Sequence, residues 1–175
     1  MGLDIRYYSN IKELESEIDE DDYDEEVIRV YENDGFDYQL GSLKKNALYI
    51  PTDNTETGSF RAGSYGGYNQ WRNMLAVMAG YESDESVWND FDSQLRYVKI
   101  KNIEGENIQM KPFYELIYFS DCEGVIGPNI SKKLHQDFVD FHKKIKGQDR
   151  MFIEKYKEWE TAFKVASNNG LVKFS

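Results

Sequence analysis

Residues 130–166, ISKKLHQDFVDFHKKIKGQDRMFIEKYKEWETAFKVA, decide the fold class, because here apolar residues recur at three- and four-residue steps. Ile130, Leu134, Phe138, Phe141 and Ile145 fall on one helical face that ends at Gly147. Phe152, Tyr156, Trp159, Phe163 and Ala166 define a second helix that stops near Asn169 and Gly170. Strand-like patterns surround this pair. Residues 3–7, LDIRY, alternate apolar and polar, and residues 27–31, VIRVY, are followed by Asn33-Asp34-Gly35, a hairpin turn signal. A return strand is expected over 36–40, and a further short run over 48–51. Residues 52–59, TDNTETGS, read as a loop.

Toward the middle the period changes again. Trp71, Met74, Leu75 and Met78 predict a helix from about Tyr68 to Ala79, capped by Gly80. A short helix is expected over 85–91, and a hairpin around Glu104-Gly105-Glu106, between 96–100 and 107–110. Residues 113–119, FYELIYF, read as the strongest strand, central in the sheet because aromatics occupy both of its faces, with Glu115 among them. Residues 171–174 return as a last strand. The expected architecture is α+β: a mainly antiparallel sheet covered by two long C-terminal helices and a shorter middle helix. At 175 residues one domain is expected, over 1–175.

Composition narrows the function classes. The chain carries a net charge of −11, with about −10 in residues 1–44, about −5 in 45–130 and about +4 in 131–175. Ten of the fifteen residues in 12–26, KELESEIDEDDYDEE, are acidic, so self-repulsion predicts a solvated, flexible segment there. Phosphate-backbone binding needs clustered cations, so general nucleic-acid binding is not expected. The ten Lys and Arg of the last 45 residues could make a local patch, but most of them are spaced as the wet faces of helices. A single cysteine cannot form an internal disulfide, no run approaches about 18 apolar residues, and MGLDIRYYSN lacks the apolar core of a signal peptide. Gly2 is present, yet Arg6 stands where a myristoylation signal wants Ser or Thr. A cytoplasmic protein with no membrane association is expected.

Two passages carry the candidate chemistry. In residues 63–72, GSYGGYNQWR, three glycines precede a helix whose first turn presents backbone N–H groups at the positive end of its dipole. Ser64, Tyr65, Tyr68 and Asn69 add neutral donors around Gly66 and Gly67, and Arg61 and Arg72 flank the turn with guanidinium groups suited to carboxylate or phosphate. The passage has neither the Gly-Lys-Ser/Thr ending of a P-loop nor the Gly-x-Gly-x-x-Gly of a Rossmann turn. It also reads as a tight loop whose glycines serve geometry and whose aromatics serve packing.

The second passage is residues 119–128, FSDCEGVIGP. Cys122 as a nucleophile would want a histidine base, but His135 and His142 both lie on the following helix, so a buried, inert cysteine is expected. Asp121 and Glu123 match no zinc or calcium spacing. They are better read as partners that orient Arg61 and Arg72, or as acceptors for a polar ligand, beside Tyr65, Tyr68, Trp71, Tyr114 and Tyr118 as flat walls. The two passages should then meet at one aromatic-walled cleft. The candidate ligand site is Arg61, Ser64, Tyr65, Gly66, Gly67, Tyr68, Asn69, Trp71, Arg72, Asp121 and Glu123, with no catalytic or metal-binding residue assigned and no cofactor expected.

Together MGLDI, GSYGGYNQWR and FYELIYFSDCEGVIGP resemble stretches shared by a group of small, largely uncharacterised proteins encoded by phages and bacteria. The resemblance implies a context, that of a phage accessory protein acting against host defences, and assigns no activity or catalytic residue. Three functions stay open: capture of a small anionic, nucleotide-like ligand; inhibition of a host or defence protein, as immunity-type proteins do, through the acidic segment; and a hydrolase using Asp121, Glu123 or Cys122.

Overall fold

The structure is a computed structural model and describes residues 2–14, 26–31, 37–81, 111–120 and 122–175. It is α+β, built on antiparallel sheets. In chain order the elements are β1 (Gly2–Tyr8), β2 (Lys12–Glu13), β3 (Ile28–Arg29), a 3-10 turn (Asp37–Leu40), β4 (Leu48–Ile50), β5 (Thr57–Ser64) and α1 (Tyr65–Met78). After these come α2 (Tyr114–Ile117), β6 (Gly124–Ile126), α3 (Pro128–Phe141), a 3-10 turn (His142–Ile145), α4 (Arg150–Ala166) and β7 (Leu171–Phe174).

The larger sheet has the order β5-β1-β7-β6, with each pair antiparallel, and the alternation of β1 decides which face meets the helices. Leu3 and Ile5 point inward with Val172 and Phe174 of β7 and Ile126 of β6, and α1, α3 and α4 close over them. Tyr8, Leu171 and Val125 point the other way, where the small sheet β2-β4-β3 covers them with Ile28 and Tyr49, joined by Val30, Leu40 and Leu43. The strand period thus feeds two cores. In the main one, Trp159 stacks on Trp71, Tyr68 and Phe163 with ring centroids 5.9, 5.6 and 5.6 Å apart, and Phe138 meets Tyr156 edge-on at 4.7 Å. Such pairs each add about 0.5–1.5 kcal/mol beyond the area they bury.

Several expectations change. Residues 113–119 do not form a strand: Tyr114–Ile117 are a single helical turn, entered through Phe113 in a left-handed conformation (φ 58°). Phe113, Leu116, Ile117 and Phe119 are all buried, so the apolar signal was real and its period was not that of a strand. The strand expected over 36–40 is a 3-10 turn at Asp37–Leu40, in which buried Gln39 donates from Nε2 to the Glu115 carbonyl at 3.2 Å. The loop expected over 52–59 gives way at Thr57 to β5, whose glycines and serines hid its strand character. The acidic run begins in a strand, Lys12–Glu13, and the middle helix starts at Tyr65. Residues 15–25, the turn at 33–35, the helix expected over 85–91 and the hairpin expected over 96–110 lie outside the described residues.

At two glycines close approach demands the missing side chain. A Cβ on Gly127 would lie 1.9 Å from the Leu40 carbonyl oxygen, where the turn carrying Gln39 presses against the start of α3. A Cβ on Gly2 would lie 2.8 Å from the Gly63 carbonyl oxygen across the β1–β5 pair, and would also displace the Arg61 guanidinium that reaches Asp4. Among the described residues no helix is long and apolar enough to cross a membrane.

Candidate functional site

The first passage runs from the end of β5 into α1, and the register of β1 against β5 sets it beside Gly2 and Leu3. Ser64 is the N-cap of α1: its backbone is extended and its Oγ accepts from the Gly67 amide at 3.1 Å. The structure divides the predicted site residues into two groups. Arg61, Ser64 and Gly67 are exposed and Tyr65 and Gly66 are half-buried, whereas Tyr68, Asn69, Trp71 and Arg72 lie in the interior.

Helical spacing explains the division. Tyr68, Trp71, Arg72 and Leu75 share the face of α1 that packs on the core, while Arg61 precedes the helix on the outer face of β5. Tyr68 and Trp71 therefore stack on Trp159, and Trp71 also donates from Nε1 to the Phe152 carbonyl at 3.4 Å. They are core packing, where walls of a cleft were expected.

Arg72 has no solvent exposure and joins the two passages. Its Nη1 donates to the Ile117 carbonyl at 3.2 Å and to the Phe119 carbonyl at 2.5 Å, with Leu116 at 3.5 Å, and its Nη2 donates to Asn69 Oδ1. The guanidinium carbon also sits 4.4 Å from the centre of the Tyr68 ring. Arg72 thus caps the last carbonyls of α2, where a cation meets groups that the helix leaves unsatisfied. The forked geometry is essential, since a point ammonium could not serve an amide oxygen and three carbonyls together. Among the described residues no carboxylate pairs with Arg72.

The orienting partners are consequently not those expected. Arg61 pairs with Asp4 at 3.1 Å, an exposed pair worth about 0–1 kcal/mol, and its carbonyl accepts from Lys155 Nζ at 2.6 Å. Glu123 is exposed and pairs with neither arginine; its amide donates to Ser120 Oγ at 3.2 Å. Asp121 lies outside the described residues.

Cys122 is exposed, which corrects the expectation of burial. The turn that Ser120 makes by accepting from the Cys122 and Glu123 amides tips the thiol outward. Its Sγ lies 3.4 Å from Ser120 Oγ, and no histidine is bonded to it among the described residues. His142 instead faces Glu160, with Nδ1 3.4 Å from Oε2. No three His, Cys, Asp or Glu side chains gather as a metal site requires, again among the described residues.

Sequence reasoning passed over a second internal network. Lys133 on α3 donates to Glu115 Oε2 at 2.7 Å and to the Lys111 carbonyl at 2.6 Å, and pairs with Asp137 at 2.9 Å. Asp137 Oδ2 in turn accepts from the Phe113 amide at 2.8 Å. Burial pushes the carboxyls of both Glu115 and Asp137 above their ordinary range, against the pull of Lys133. The available signals were an acid set between apolar neighbours at 115 and a Lys-Asp pair at helical spacing, 133 and 137. Compared with known proteins, the chain matches no family model, no curated protein and no solved structure.

Proposed function

We propose that this is a non-catalytic, acidic binding protein of the inhibitor or immunity type, which engages a basic surface of another protein through the acidic side chains of its first 44 residues. The observation that carries this reading is the interior position of Arg72, Tyr68, Trp71 and Asn69. With those groups committed to carbonyls and rings, the cationic and aromatic pocket imagined for a small ligand loses its centre. What remains distinctive is charge: about −10 in residues 1–44, on a chain of −11 overall. A concentrated field of one sign accelerates encounter with an oppositely charged partner by about 10- to 1000-fold, and salt suppresses the gain. The phage-accessory context implied by the sequence resemblance suits such a role.

The test is capture of a partner from host lysate, its identification, and titration of the purified pair at low and high salt. Binding should weaken as salt rises, and neutralising the acids of 13–26 to Asn and Gln should slow association by at least about tenfold. Association that ignores both salt and neutralisation overturns the reading.

A second reading keeps one observation of its own. Arg61, Ser64, Tyr65, Gly66 and Gly67 remain at or near the surface around the start of α1, whose first turn carries no acid. A small phosphate-bearing ligand bound there would raise the melting temperature in a nucleotide panel, and Arg61→Ala would abolish the shift.

A further inference from the structure

The approach to α2 is locked from α3, and among the described residues the lock is short of one positive charge. Phe113 holds a left-handed backbone, a conformation that costs a bulky residue about 1–3 kcal/mol and persists only when its surroundings enforce it. Asp137 enforces it by accepting the Phe113 amide, and Lys133 ties Glu115, Asp137 and the Lys111 carbonyl into one cluster. The side chains of Glu115 and Asp137 are 3% and 14% exposed, and that of Lys133 24%. Two carboxylates therefore share a single ammonium in a site with little water.

Among the described residues, the other titratable groups facing the pair do not supply the missing cation. Around Glu115 these are Tyr38 from the 3-10 turn and Tyr81 beyond α1. Around Asp137 they are Tyr81, Asp140 on α3 and Tyr156 on α4. The Tyr81 hydroxyl donates to the Pro112 carbonyl at 2.6 Å, and the Tyr156 hydroxyl to the Phe138 carbonyl at 2.6 Å, so both are committed as donors to the backbone.

We infer that the Glu115–Lys133–Asp137 cluster is a proton-linked latch: as pH falls it takes one proton from solvent onto a carboxylate oxygen, and residues 111–119, with the carbonyls that seat Arg72, close more firmly. No other bond changes. The proton removes the surplus negative charge and leaves Lys133 matched to one carboxylate, while the Asp137 bond to the Phe113 amide is retained. The raised carboxyls give the sign. A group that binds its proton more tightly when folded contributes stability that is fully present below its unfolded value, about 4 for a carboxyl, and lost as pH rises through the folded value. The two acids titrate as a pair, so the uptake belongs to the cluster.

The test uses the full chain. Carbon NMR of the side-chain carboxyls, assigned with Glu115→Gln and Asp137→Asn, should show a proton bound above the ordinary carboxyl range. Amide hydrogen exchange over 111–119, corrected for its intrinsic pH dependence, should slow as pH falls, by up to about tenfold per pH unit, the limit for one proton. In Glu115→Gln, which keeps an acceptor for Lys133, that pH response should vanish. Ordinary titration of both carboxyls in the wild type, pH-independent corrected exchange, or an unchanged response in Glu115→Gln would each overturn the latch.

Discussion

The thiol of Cys122 stands in solvent beside the hydroxyl of Ser120, held there by a turn whose amides both point at that hydroxyl. It is therefore a reporter of the loop and not a member of either core. A maleimide should label Cys122 in the native protein at close to the rate found in denaturant; protection on the order of tenfold or more would place the thiol inside. The residue also shows why single-residue reasoning ran short. A lone cysteine between apolar runs is most often buried, and only the turn made by Ser120 reverses that, a hydrogen-bond geometry that residue type does not encode. Arg72 reverses a habit in the other direction. A cation seldom lies fully buried without a carboxylate, yet here, among the described residues, backbone carbonyls at and just after α2 supply the acceptors.

Among the elements, those whose burial follows a clean period were legible from the amino acids. The stripe through Ile130, Leu134 and Phe138 falls on α3, that through Phe152, Tyr156 and Trp159 on α4, and the alternation of residues 3–7 lies within β1. Illegible were elements fixed by distant partners. Residues 113–119 carry the aromatic and branched residues of a strand, but the Phe113 amide is held by Asp137 and the carbonyls of 116, 117 and 119 by Arg72, so tertiary bonds overrule local preference. β5 was hidden for the opposite reason, since Gly58, Ser59, Gly63 and Ser64 lack strand preference and pair because β1 lies alongside. Element ends yield their own test. Ser64→Ala removes the N-cap acceptor of α1 and should cost about 1 kcal/mol in chemical denaturation, whereas Gly127→Ala, which drives a Cβ into the Leu40 carbonyl, should cost about 3 kcal/mol or more. Equal losses would mean that the packing of the 3-10 turn on the start of α3 is not tight.

For the whole molecule, the position of the two candidate passages matters more than their composition. The expectation that residues 63–72 and 113–123 come together has a physical counterpart, but it runs through the interior: Arg72 reaches the carbonyls before Ser120, while Arg61 and Glu123, both exposed, make no bond to each other. The candidate site was legible as a meeting of segments and illegible as a surface, because sequence spacing places residues on a helical face without saying which face is inward. The proposed binding rests instead on the charge of about −10 carried by residues 1–44. The central claim, that Arg72 is an internal tether between the two passages, is tested most directly by equilibrium denaturation of Arg72→Ala beside Arg61→Ala. A loss of about 3–5 kcal/mol is expected for Arg72→Ala, which removes the buried donor shared by three carbonyls and the Asn69 amide oxygen, and about 1 kcal/mol or less for Arg61→Ala. An Arg72→Ala protein within about 0.5 kcal/mol of the wild type, as a solvent-facing ligand residue would give, contradicts it.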